Sequence, residues 1–209
     1  MKKLLSLVLA LLLALSFAGC SGSTAMTEAN VTATVDSAFD ALKHFDTKKL
    51  EKYVDSKTLS VIITYANKHD QFADLGKALF KNLEYSIESI DLDAKTVTVN
   101  VRNKDLKDTA SAFTKALVSK YSALQMLGLL NNEAWLNTSL KSLTDSIAIA
   151  KMQSAPVSVT LTVTAGKKNL MLGFDDTAEN AVSGGALQAV KSLTSGLTGS
   201  KSTTESTSN

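Results

Sequence analysis

Two histidines, His44 and His69, are the only imidazoles in the chain and limit its general acid–base chemistry. Asp40 stands one helical turn before His44, a spacing that sets a carboxylate beside an imidazole. The neighbouring apolar stripe runs through Phe39 and Leu42, so an exposed helical pair is expected there. His69 and Asp70 fall in a polar break and read as a surface turn. The remaining candidates are aromatic. Tyr65, Tyr85 and Tyr121 are candidates for contact with a ligand, and core packing explains all three. Trp135, beside the Asn131–Asn132 break, would form an apolar lip for a ligand or partner, since aromatic anchors dominate interfaces; a helix anchored on its core face is the plainer reading. Asp91 and Asp93 flank a turn, and Asp175 and Asp176 stand at a helix start, so turn and cap roles account for both carboxylate pairs. Neither stretch has the oxygen density of a calcium loop. No HExxH, Walker loop, GxGxxG or nucleophile elbow occurs, and Ala181-Val182-Ser183-Gly184-Gly185 reads as a helix end. No catalytic residue, metal site or cofactor is assigned.

Cys20 is the only cysteine, so no disulfide can staple the fold. It closes the run Leu15-Ser16-Phe17-Ala18-Gly19-Cys20. Lys2 and Lys3 precede an apolar run from Leu4 to Leu15, broken by Ser6, and small residues stand before the cysteine, the layout of a secretory signal with its cleavage site. An apolar run of roughly 15 residues is short for a span, which needs about 20. The pattern resembles the lipobox of bacterial lipoproteins, with Phe17 where that family prefers leucine. The resemblance implies a diacylglyceryl group on the Cys20 thiol, cleavage before it, and an extracytoplasmic domain held at the cell membrane through its N-terminal lipid. Without residues 1–19 the chain carries 20 basic and 20 acidic residues, no net side-chain charge. Nothing remains of a basic face that would bind nucleic acid.

The expected organisation is a signal peptide over 1–19, the lipidated cysteine and a polar spacer over 20–29, one domain over 30–190, and a disordered tail over 191–209. In the tail 11 of the last 18 residues are Ser or Thr, too few apolar groups to order it. Within the domain Val31, Val35, Phe39 and Leu42 keep helical spacing. Asp46 offers a cap for a short helix carrying Leu50, Tyr53 and Val54, and Ser56 for another through Leu59, Ile62, Ile63 and Ala66. Phe72, Leu75 and Leu79 follow around Gly76. The period then falls to two: Tyr85, Ile87 and Ile90, then Val97, Val99 and Val101. One long helix is expected along Leu106, Ala110, Phe113, Leu117, Tyr121 and Leu124, with Asp105 near its start. Trp135, Leu136, Leu140, Leu143 and Ile147 mark the next. After Pro156, Val157, Val159, Leu161 and Val163 alternate with Ser and Thr. Leu170, Leu172 and Phe174 make the last strand, and a closing helix frays near Gly184–Gly185.

This order has no βαβ rhythm, so an α+β fold is expected: an antiparallel sheet of about four strands, helices on one face and a partly wet opposite face. The chain here resembles the nuclear transport factor two-like, cystatin-like superfamily, in particular small lipoproteins of Gram-positive bacteria. The likeness runs over residues 30–188 and rests on Lys81-Asn82-Leu83-Glu84-Tyr85, on Asn100-Val101-Arg102-Asn103-Lys104-Asp105-Leu106, and on Ala178-Glu179-Asn180-Ala181 with Gly184-Gly185. It implies a cone-shaped sheet. Isomerases among such relatives place an acidic base and a tyrosine donor inside the cone. A non-enzymatic module binding an unidentified small molecule or protein is the first expectation, a cavity isomerase or dehydratase the second, and a structural envelope protein the third.

Overall fold

A computed structural model describes residues 24–191; the leader, Cys20 and the Ser/Thr-rich stretch from 192 onward lie outside them. Thr27 caps α1 (Glu28–His44), its hydroxyl accepting from the Asn30 N–H at 3.2 Å, so the helix begins inside the stretch read as spacer. Its buried face carries Val31, Val35, Phe39 and Leu42. Phe45 then takes a left-handed conformation (φ 48) that ends the helix. Its buried ring stacks beside Phe80 with centroids 6.2 Å apart. Gly76 faces that ring so closely that a β-carbon there would stand 2.5 Å from it, which is why a glycine occurs inside a helix.

Asp46 and Ser56 act as the caps expected, of α2 (Thr47–Tyr53) and α3 (Lys57–Ala66), accepting from Lys49 and Leu59 N–H at 3.1 and 3.0 Å. Between them the expectation needs correcting. Val54 leaves the helix with extended dihedrals and forms β1 (Val54–Asp55), which runs parallel to β5 (Leu170–Gly173). A β-branched residue sits more easily on a pleated edge than in the last turn of a short helix. After α3 come α4 (Asp70–Phe80), β2 (Glu84–Asp91) and β3 (Thr96–Arg102), and the fold later returns through β4 (Val157–Ala165).

The sheet order is β1-β5-β4-β3-β2, antiparallel except at the β1 edge: among the described residues a mixed, open sheet of five strands, close to the antiparallel sheet of about four expected but with a parallel edge added. Val97, Val99 and Val101 face Leu161, Val159 and Val157 across β3 and β4, and all but Val157 are buried. The other face is polar, with Thr98 and Thr160 hydroxyls 3.2 Å apart and Ser158 donating to Glu88 at 2.9 Å. A bulge between Ile87 and Ser89 explains how Ile90 joins Tyr85 and Ile87 on the core face despite the odd spacing, leaving Glu88 as the extra residue.

The chain between β3 and β4 is a helical excursion. It holds α5 (Lys107–Lys120), α6 (Ala123–Leu129), α7 (Glu133–Trp135), a π-helical turn (Leu136–Leu140) and α8 (Lys141–Ile149). The single long helix expected is broken at Tyr121, which is extended. Ser122 and Gln125 form a reciprocal capping box that restarts the chain as α6. Leu106, not Asp105, occupies the N-cap position of α5, and on that helix Thr114 is buried while Phe113 and Leu117 are half-buried.

The excursion is fastened at its root. Asn103 is fully buried; its Nδ2 donates to the carbonyls of Leu79 (3.0 Å) and Val182 (2.7 Å), and its Oδ1 accepts from the Lys104 N–H. The Lys104 ammonium donates to the carbonyls of Ile147 and Ala148 at 2.9 and 2.5 Å, at the C-terminal end of α8 where the helix dipole favours a cation. α9 (Asp176–Val182) closes the core with Asp175 as its cap. Gly184 and Gly185, at φ 62 and 84, do not fray this helix; they turn the chain into a further helical segment, 186–191. A side chain at Gly184 would overlap the Lys104 carbonyl, while its own carbonyl accepts from Leu106 N–H at 2.8 Å.

Asn103→Ala strands the two buried carbonyls that the side-chain amide serves. A loss of about 2–5 kcal/mol in urea-unfolding free energy is expected, at roughly 1–3 kcal/mol per unpaired buried group; a loss below about 0.5 kcal/mol, the range of an ordinary surface substitution, would contradict that role.

Candidate functional site

α9 buries Ala178, Glu179, Ala181 and Val182, so a carboxylate lies within an otherwise apolar helix face. Glu179 is 8% exposed. Its Oε1 accepts from the Ser56 hydroxyl and, at 3.3 Å, from the Thr58 N–H, two donors at the N-terminus of α3. That helix end supplies a partial positive charge as well as the hydrogen bonds. Oε2 is also buried and accepts no hydrogen bond from the described residues. A buried carboxylate with one oxygen left unpaired is costly.

Glu179 lines a cleft of about 250 Å3, somewhat smaller than the usual ligand site of about 300–1,000 Å3. Its walls come from α1 (Leu42), α3 (Leu59, Ile62), α4 (Leu79, Phe80), the β5–α9 junction (Phe174), the end of α9 (Val182) and the closing segment (Leu187, Val190). The remaining polar lining residues are Ser56, Thr58 and Ser183. Two of these are already engaged: Ser56 accepts from Leu59 N–H and donates to Glu179, and Ser183 donates to the Asn180 carbonyl and accepts from Leu187 N–H. On its other side, Glu179 borders a polar basin that also includes Asp55, Lys57, Asp175 and Asp176.

None of the aromatic candidates from the sequence lines this cleft. Tyr65 packs its ring on Phe72, centroids 5.3 Å apart. Tyr85 stacks on Phe39 at 4.3 Å, and its hydroxyl donates to Asp36 Oδ1 at 2.8 Å. Tyr121 and Trp135 do come together: both line a groove of about 290 Å3 between α5 and the segment running from Trp135 into α8. The Lys120 ammonium lies 5.3 Å from the Tyr121 ring centre. His44 and Asp40 form the exposed pair expected, Nδ1 to Oδ1 at 3.1 Å.

His69 departs from the surface turn expected of it. Its side chain is 13% exposed, and its Nδ1 stands 2.8 Å from Glu133 Oε1, joining the start of α4 to α7. Hydrogen bonds from His69 and then from Gln71 hold the Glu133 carboxyl below the usual glutamate range. Asp91 takes its turn role, accepting from Ala94 N–H at 2.8 Å.

Glu179 and Ser56 were the residues missed as a site. The readable signal was an acidic residue in register with Ala178, Ala181 and Val182; the Ser56 partner lies 123 positions away and has no local trace. Compared with protein-family models, with curated proteins and with solved structures, the chain matches none of them.

Tyr85 gives a pH-dependent check on the packing around the sheet. Burial, then the bond to Asp36, raises its phenol well above the usual range. A phenol whose folded pKa is raised stabilises the fold fully below the unfolded value, about 10, and loses that contribution as pH rises through the folded value. The stability difference between the parent and Tyr85→Phe should therefore hold steady up to about pH 9 and shrink above about pH 10. Phenolate absorbance on alkaline titration should lose its latest component in the variant. A parent titration that Tyr85→Phe merely scales down uniformly would refute the assignment.

Proposed function

We propose that this protein is a lipid-tethered, extracytoplasmic binding module that takes a small, mainly apolar ligand bearing a hydrogen-bond donor into the Glu179 cleft. The observation that carries the reading is an apolar cleft lined by Glu179, whose buried Oε2 is an acceptor with no hydrogen-bond donor among the described residues. A ligand with an aliphatic body and an amine or hydroxyl head would bury the first and satisfy the second. An acid would set two acceptors against each other. Binding is favoured over isomerase or dehydratase chemistry because, among the described residues, the cleft lining contains no tyrosine, histidine or lysine to pair with the carboxylate. The cone-shaped, cystatin-like assignment belongs to this proposal: its support is the order of elements and the single-sided helical cover of a mostly antiparallel sheet. The tether rests on the leader and Cys20.

Hexylamine, hexanol and hexanoate share one tail and separate the head-group chemistries. The amine and the alcohol should raise the melting temperature, by about 2–4 °C for each kcal/mol of binding free energy in a domain of this size, and hexanoate should not. Glu179→Gln keeps an acceptor for Ser56 and turns the second position into a donor, so the preference for the amine should fall. Equal response to all three, or to none, would overturn the reading. The tether is tested separately: Cys20→Ala should move the protein from the membrane fraction to the soluble one, and retention in the membrane would exclude lipidation as the anchor.

A further inference from the structure

α6 is a helix that the other described residues leave largely uncovered. Leu124 is 80% exposed and Leu127 61% exposed, and none of its described side chains is buried. A β-carbon added at Gly128 would meet nothing within 4 Å. Yet the helix is specified, by the Ser122–Gln125 capping box on one side and by Asn132 capping α7 on the other. A seven-residue helix whose described apolar side chains are exposed or at most half-buried is far shorter than the ~12–15 residues at which isolated helices become even marginally stable in water. The capping pays for a conformation whose apolar face has its partner elsewhere.

The charge and the aromatic residues around α6 identify the partner. Between Asp108 and Glu133 the chain has no acidic residue and two cations, Lys115 and Lys120. Tyr121 stands just before the helix and Trp135 just after it, lining one groove, with Lys120 over the tyrosine ring. Apolar side chains on a helix preceded by two lysines and set between a tyrosine and a tryptophan in the chain suit the boundary between acyl chains and anionic headgroups. The stretch beyond 191 is a poor cover for this face, since Leu193 and Leu197 are its only large apolar residues.

We propose that α6, with Tyr121 and Trp135 beside it, is a membrane-contacting face that lies in the headgroup region of an anionic bilayer and sets how the domain sits on it. A helix this short orients a domain that is already held close. On the tether reading, eight residue steps separate Cys20 from α1 at Glu28, a reach of at most about 29 Å at ~3.6 Å per residue.

Trp135 is the only tryptophan, so its fluorescence reports on this face alone. The full chain is mixed with vesicles of equal parts phosphatidylcholine and phosphatidylglycerol, plain or brominated on the acyl chains. Brominated lipid should remove roughly half of the Trp135 emission, as expected for a helix seated about 5–10 Å into the headgroup–acyl boundary. Leu124→Glu with Leu127→Glu should abolish the quenching, while circular dichroism, melting temperature and the hexylamine response stay as in the parent. Quenching absent in the parent, or unchanged in the double variant, would overturn the proposal. So would an emission change that follows protein concentration without vesicles, because a second copy would then be the cover.

Discussion

Asn103 is the residue on which three parts of the fold depend. Its side-chain amide holds the carbonyls at the ends of α4 and α9 together, at Leu79 and Val182, and its carbonyl oxygen orders the backbone of Lys104 as β3 gives way to the excursion. Leu79 and Val182 also line the cleft. Because both acceptors are backbone groups, what Asn103 fixes is the separation of two helices rather than the pose of two side chains. A buried amide with its donors and acceptor engaged gains from the low dielectric around it, and the same dielectric makes any misalignment expensive. The spacing of two elements that line the cleft is therefore held by a polar contact, while most of the lining is apolar.

Lys104 extends the constraint outward. Its ammonium takes two carbonyls at the end of α8, and the Gly184 backbone is pressed against the Lys104 carbonyl closely enough to exclude a side chain. The root of the excursion and the turn after α9 thus form one seam. The closing segment that carries Leu187 and Val190 starts from that turn, so the outer lip of the cleft inherits its position from the same place.

Much of the core was legible because it is periodic. The stripe of α1, the alternation of β3 and β4, and the Asp46, Ser56 and Asp175 caps are local patterns, and they appear where the sequence puts them. The parallel β1 edge was not legible, since two residues cannot show a period and their partner, Leu172, lies far along the chain. The break at Tyr121 had a signal, Ser122 followed by Gln125, but the apolar spacing from Leu117 to Leu124 masks it. The segments Asn100–Leu106, Ala178–Ala181 and Gly184–Gly185 carry the seam and the buried carboxylate. Their composition could be read in the chain, but their meeting could not, because Asn103 reaches Val182 across 79 positions.

The two surfaces differ in how firmly they are held, and that difference follows from burial. The cleft is framed by elements of the main core, which runs through α1, α3, β3, β4, β5 and α9. The excursion contributes nothing to that core cluster; its buried apolar residues, Leu106, Leu136, Leu140 and Ile147, stand outside it, and α6 adds none. Segments with few buried apolar contacts open at lower free energy than core strands. The cleft needs a fixed width to keep a carboxylate out of water, whereas a face that meets a fluid headgroup layer works with a looser one. Rigidity is concentrated below Asn103, and compliance is left in the helices beyond Lys104.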